Sequence, residues 1–386
     1  MRRIRGQTTR RAERDRAPWR IAVALTLVAL LMTGCGLIPG ATSTGGVTTS
    51  SPGGVVISAG GVPLLPGEQM WGDWPSYLFG TNDTQNWDGQ HNFETLPDLQ
   101  QRLKADHFPF IRVWFFQRSL ATHKLVSDEI QLIRAQTALN AGMTCMGELA
   151  TKNSMAYDEH LVALLKGKCR FYEFMNEPDL EGVHAADYIQ AWRTEIPKLR
   201  AIDPSAKFGG PADYTAQGAE CTYNADGSSQ CFMQKVLQGM ASSGVLPDFV
   251  TFHWYPCFQI SEAKCAPKAV DAAKVTKSVR GWVAQYFHRP IPVGITEWNV
   301  DPSAPMPQFT QDAAWMTQFT TTALTSMQSA GLSFANQFDL ANYGGYGSDD
   351  MVDISHDGAP KPQYLAMKAL IDQARAGGIT TPAAGG

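Results

Sequence analysis

Asn176-Glu177-Pro178 and Glu297-Trp298-Asn299 each set a glutamate directly after a short apolar run. A third run ends in His253-Trp254-Tyr255-Pro256, and a fourth carries Arg112 and Trp114. Two carboxyl groups facing one another across a pocket can divide the work of breaking a glycosidic bond. One protonates the leaving oxygen while the other acts at the anomeric carbon. An anionic Glu297 nearby would raise the Glu177 pKa by like-charge repulsion, as a general acid needs. Taken singly, the signals are weak. Asn and Pro are common turn residues, a strand-end glutamate is usually a cap, and a lone histidine is usually a satisfied core residue. Their weight lies in occurring together and in order.

What must position them is a frame of strands and helices. From residue 68 the chain alternates short apolar runs with longer amphipathic stretches, the signature of βα units on a parallel sheet. Strand one falls within residues 70–80, and the next three at 110–116, 143–149 and 169–175. Strands five to eight are expected at 206–210, 248–253, 292–296 and 332–338, each followed by a helix. Eight such units make an α/β fold, a (β/α)8 (TIM) barrel spanning residues 68–380, with its active site at the C-terminal ends of the strands. Strands four and seven then face each other across the barrel. The rival fold, an open doubly wound sheet, would want a glycine-rich phosphate loop after strand one, and the sequence has none there.

Tyr172-Glu-Phe-Met-Asn-Glu-Pro-Asp179 and Gly294-Ile-Thr-Glu-Trp-Asn299 resemble the two catalytic strand ends of the large clan of retaining (β/α)8 glycoside hydrolases. Phe252-His-Trp-Tyr-Pro256 is similar to the clan's strand-six motif. Gly209-Gly-Pro211 and Asp357-Gly-Ala-Pro-Lys-Pro-Gln-Tyr364 are similar to the branch around glycoside hydrolase family 39, known for β-xylosidases and α-iduronidases. The resemblance implies Glu177 as general acid/base and Glu297 as nucleophile. It further implies that Asn176 binds the sugar 2-hydroxyl, that Arg112 and Tyr255 contact Glu297, and that His253 lines the sugar pocket. Trp298 and Trp114 join the substrate contacts, Trp298 by stacking on a sugar face. The chain departs from the pattern at Met175, where members often carry Trp, and at Asn336 and Gln337, where many place one. The sugar, and exo or endo action, stay open.

The N-terminus implies export. Eight arginines precede an uncharged apolar run at 21–32, which ends in Met32-Thr33-Gly34-Cys35. This is a signal segment at 1–35 resembling a lipobox, with Cys35 the lipidated residue. A Gly/Ser/Thr-rich tether is expected at 36–67. The six remaining cysteines suit an oxidising compartment, with Cys221–Cys231 and Cys257–Cys265 expected as disulfides and Cys145–Cys169 left open. The net charge of −4 gives no basic excess for nucleic acid. No cofactor and no metal site are expected. The acidic run at Asp349, Asp350 and Asp353 reads as a solvated loop rather than a calcium site, and Tyr343–Gly347 reads either as a pocket wall or as an ordinary loop. The partners expected are therefore a carbohydrate and, through the anchor, a membrane. The functional expectation is an extracytoplasmic retaining O-glycoside hydrolase. Transglycosylation would use the same residues, and the alternative is a lipid-anchored carbohydrate-binding protein without catalysis.

Overall fold

The computed structural model describes residues 55–83, 93–119, 122–216, 220–223, 229–303, 306–341, 350–356 and 358–381. The export segment, Cys35, Tyr343–Gly347, Asp349 and Asp357 lie outside these, as does most of the tether.

Eight parallel strands close into a barrel in the order six, seven, eight, one, two, three, four, five. They are Gly80–Asn82, Phe110–Phe115, Thr144–Leu149, Phe171–Phe174, Lys207–Asp213, Phe249–Trp254, Val293–Trp298 and Phe334–Gln337. Helices follow at Pro97–Ala105, Asp128–Asn140, Met155–Leu164, Ala185–Ile202, Phe232–Ser243, Asp271–Phe287, Ala313–Ser329 and Pro362–Ala376. Local chemistry fixes their starts. Ser127, Ser154 and Asp312 accept hydrogen bonds from the third backbone N–H of their helices. Pro97 and Pro362 occupy first-turn positions where no N–H is needed. The expected barrel is present, with strand one at Gly80–Asn82, sharing only Gly80 with its predicted window.

The base of the barrel is an aromatic layer. Strands two, four, six and eight contribute Phe110, Phe171, Phe249 and Phe334, joined by Met146, Leu65 and Tyr77. Alternate strands filling one layer is the usual solution inside such barrels. The intervening strands make room with glycine: Gly80 pairs with Phe110, Gly209 with Phe249 and Gly294 with Phe334. A Cβ at Gly209 would collide with the Phe249 ring, and one at Gly294 with the Phe334 ring.

The tether is shorter than the composition implied. Val56–Ile57 pairs antiparallel with Pro63–Leu64, and Leu64 and Leu65 are buried against the base. Buried Glu68 locks this corner by accepting the backbone N–H groups of Leu65 at 2.8 Å and Tyr77 at 3.1 Å. The short apolar run Val62-Pro-Leu-Leu65 folds where its glycine-rich surroundings suggested a random coil.

Three disulfides form, Cys145–Cys169, Cys221–Cys231 and Cys257–Cys265. The first joins neighbouring strands three and four at the base and resolves the pair the sequence left open. Replacing both Cys145 and Cys169 by Ser should lower unfolding free energy by about 3 kcal/mol, from the chain entropy of a loop of this length. Urea unfolding measures this, and an unchanged midpoint would refute it. Among the described residues no helix is long and apolar enough to cross a membrane.

Candidate active site

Above the aromatic base the barrel interior turns polar. Strand two alternates sides, so Arg112 and Trp114 follow Phe110 inward. Buried Arg112 is the hub. Its Nε donates to Glu173 Oε2 at 2.6 Å, its Nη1 to Glu297 Oε1 at 2.7 Å and Asn82 Oδ1 at 3.2 Å, and its Nη2 to Asn176 Oδ1 at 2.7 Å. Burial alone would lower the Arg112 pKa. The carboxylates of Glu173, Glu148 and Glu297 more than offset this and raise it.

Glu297 ends strand seven inside the barrel. Besides Arg112, it accepts the Tyr255 hydroxyl at 3.0 Å, and the His253 Nδ1 stands 3.5 Å from its Oε2. Burial pushes its carboxyl upward, while His253, Arg112 and Tyr255 pull it back, leaving a net rise. Glu177 lies just past strand four, where the backbone leaves the regular strand: Met175, Glu177 and Ala212 all have positive φ, at 66°, 42° and 52°. Each costs of order 1–3 kcal/mol in a residue with a Cβ and persists only because the surroundings enforce it. The Glu177 N–H donates to the Ala212 carbonyl at 3.1 Å, which fixes the turn. His253 Nδ1 is 2.8 Å from Glu177 Oε1. One ligand atom each of Glu177, His253 and Glu297 lies within 4.8 Å of the others. Three such atoms are chemically able to hold a cation, and here Arg112 supplies positive charge against Glu297 directly.

The Glu177 carboxyl is pushed up to about 8, first by burial and then by the charge of Asp179, against the pull of Arg112. The rise matches the need of a general acid. Its main cause is burial with Asp179, whereas the sequence argument had assigned it to Glu297. Burial also lowers the His253 pKa, against the upward pull of Glu297.

Trp298 does not line the pocket. It follows inward-facing Glu297, so its ring points outward, is fully buried, and packs at 6.5 Å from Trp254 beneath the helices. Stacking on a sugar is therefore not open to it. Trp114 does face the mouth, 5.9 Å from Phe338. Phe338 meets Tyr255 edge-on at 6.2 Å, and Tyr255 stacks on Tyr214 at 6.5 Å. These four rings form an aromatic arc along one side of the mouth. Phe338, one residue past the strand-eight positions considered from sequence, supplies the aromatic group missing at Asn336 and Gln337. A cavity of about 240 Å³ lies between the end of strand six, at His253 to Pro256, and the helix Asp271–Phe287, bounded also by Tyr214, Thr215 and Lys268.

Sequence reasoning missed Glu148, Glu173, Asp179, Phe338 and Tyr214. Glu148 and Glu173 were recoverable by counting in steps of two from Met146 and Phe171. Asp350 pairs with Lys361 at 2.6 Å, and Asp353 Oδ2 lies 2.8 Å from His356 Nδ1, so each of these acidic side chains has a polar partner.

Several carboxyls bind protons more tightly folded than unfolded: Glu148 and Glu177 rise to about 8, and Asp158 and Asp213 to about 7, in each case first through burial. Such groups contribute stability that is complete below their unfolded pKa of about 4 and is lost as pH rises through the folded value. The melting temperature should therefore fall between pH 5 and pH 9. Calorimetry across that range tests it, and a rise would contradict the burial argument.

No protein-family model matches the chain. It is 26% identical over 222 residues to a β-xylosidase of Caldicellulosiruptor saccharolyticus, a match covering 52% of this chain and 40% of that protein. The chain thus spans less than half the length of this curated relative. Its fold is similar to that of a monomeric β-xylosidase from Caulobacter crescentus (TM-score 0.56, 16% identity, 76% of this chain and 68% of that one). A GH39 β-xylosidase structure from Caulobacter crescentus gives TM-score 0.52 at 17% identity, over 76% of this chain and 71% of that one. The barrel is of the kind found in glycoside hydrolases near family 39.

Proposed function

We propose that this chain is a retaining O-glycoside hydrolase acting outside the cytoplasm on oligo- or polysaccharide, with Glu177 as acid/base and Glu297 as nucleophile. The observation that carries the reading is the pair itself. Two glutamates from opposite strands bring one oxygen each within 4.8 Å. Retaining enzymes hold their carboxyls about 5–5.5 Å apart, whereas inverting enzymes need about 6.5–9.5 Å to admit a water.

The two environments divide the roles. Glu297, held by Arg112 and Tyr255, attacks the anomeric carbon. The bond to the leaving oxygen breaks, and the Glu177 proton goes to that oxygen. A glycosyl ester on Glu297 remains. Water then attacks the same carbon, its proton passes to Glu177, and the ester bond breaks to return the Glu297 carboxylate. Two inversions give net retention. Asn176, oriented by Arg112, takes the sugar 2-hydroxyl. The three disulfides favour an oxidising compartment, and a lipid on Cys35 would retain the protein at the cell surface.

The test is hydrolysis of an aryl glycoside panel, beginning with β-D-xylosides, by residues 55–386, with product configuration read by NMR. First-formed product of inverted configuration would sink the retaining mechanism. The first step needs protonated Glu177, so kcat/KM should fall as pH rises through about 8. Glu177→Gln should lose that limb, and should lose least on a 2,4-dinitrophenyl glycoside, whose leaving group needs no proton. An unchanged alkaline limb in the variant would remove Glu177 from the acid role.

A further inference from the structure

Among the described residues, Glu148 carries a buried oxygen that nothing in the barrel uses. It lies near the end of strand three on the inward side, 1% exposed, level with Trp114 on strand two and Glu173 on strand four. Glu173 is fully engaged, accepting from Arg112 and, at 2.6 Å, from the Thr296 hydroxyl. Glu148 differs. Its Oε1 has no hydrogen-bond partner, and its Oε2 stands 3.6 Å from Arg112 Nη2, too far for a hydrogen bond. The guanidinium does not need it, because its five N–H groups are already directed at Glu173, Glu297, Asn82 and Asn176. A buried polar atom left unpaired costs about 1–3 kcal/mol. Such a group persists where a ligand completes it.

Its position says which ligand. The nitrogen that Glu148 approaches is the one that donates to Asn176. The two side chains therefore stand next to each other on the same side of the Arg112 guanidinium. We infer that Glu148 is a substrate-positioning residue that takes the sugar hydroxyl adjacent to the one held by Asn176, the 3-hydroxyl. The inference rests on the glycoside hydrolase reading. Burial, reinforced by Glu297, Glu173 and Glu177 against Arg112, pushes its carboxyl up to about 8. Below that it is a neutral acid that both donates and accepts, which suits a hydroxyl.

The experiment compares wild type, Glu148→Ala and Glu148→Gln on 4-nitrophenyl β-D-xylopyranoside and its 2-, 3- and 4-deoxy analogues. Wild type should lose roughly 30- to 100-fold in kcat/KM on the 3-deoxy compound, the size of a lost hydrogen bond in a buried site. Glu148→Ala should lose as much on the parent xyloside and less than about 3-fold further on the 3-deoxy analogue. Glu148→Gln, which keeps a donor and an acceptor, should recover most of the parent activity. Equal losses by Glu148→Ala on all four glycosides would mean it acts only through the fold, and would overturn this inference alone. Absence of a loss would do the same. Failure of wild type to cleave any of the four would overturn the xyloside substrate, and this inference with it.

Discussion

Glu297→Ala should abolish turnover, with kcat/KM reduced by at least ~10⁴-fold, equivalent to about 5.5 kcal/mol of transition-state stabilisation. The substitution removes the group that forms the covalent bond while leaving Arg112, Tyr255 and His253 aimed at the space it vacates. That space is small, electropositive on the Arg112 side, and faces the anomeric carbon. Azide should therefore enter it and attack in place of the carboxylate. The product would be a glycosyl azide of inverted configuration, because only one displacement then occurs. Rescue with inversion identifies a nucleophile. Rescue of Glu177→Ala by azide, with retained configuration, would mark that residue as the acid/base. Full activity of Glu297→Ala, or rescue that gives a retained azide, would exchange or remove the roles assigned here.

Arg112→Met should be the most destabilising single change in the barrel, by roughly 3–5 kcal/mol, the range for removing one partner from a buried ionic network. Glu173, Glu297 and the carbonyl oxygens of Asn82 and Asn176 would together lose the donors that Arg112 supplies. Arg112→Lys should recover little, since one ammonium cannot direct five donors in a plane. Denaturant unfolding at pH 7 and pH 5 distinguishes charge from packing. If unpaired carboxylates cause the loss, protonation at pH 5 should restore part of it. A loss of under 0.5 kcal/mol at both pH values would show that the hub is dispensable, a size typical of surface changes.

The strands, the barrel and the facing pair of glutamates were legible because each depends on local pattern: apolar runs of fixed length, and a glutamate at a strand end. What escaped depends on phase. Trp298 sits beside Glu297 in sequence and was read as a sugar platform, yet alternation sends adjacent side chains to opposite faces. Glu148 and Glu173 escaped for the converse reason, lying in phase with the aromatic base but outside any motif. Phe338 lay at the end of the expected strand eight but was missed as a site residue, because the aromatic group was looked for at Asn336 and Gln337 and enters one residue later. The hairpin at 56–64 was hidden by its neighbours' composition. The cause of the Glu177 shift was not legible at all, since it depends on how deeply a side chain is covered.

The hairpin that closes the base also sets where the preceding chain leaves the barrel. Residue 55 joins the fold at the end of the barrel opposite the strand ends that carry Glu177 and Glu297. On the proposed anchor at Cys35, twenty residues would lead from the lipid to this point, a leash of at most about 70 Å when fully extended. An attachment on that side would leave the barrel's opening unobstructed by the leash. Long polymers could then be worked on without threading between enzyme and bilayer, and shortening the leash would change how far from the surface they can be reached before it changed how fast they are cut.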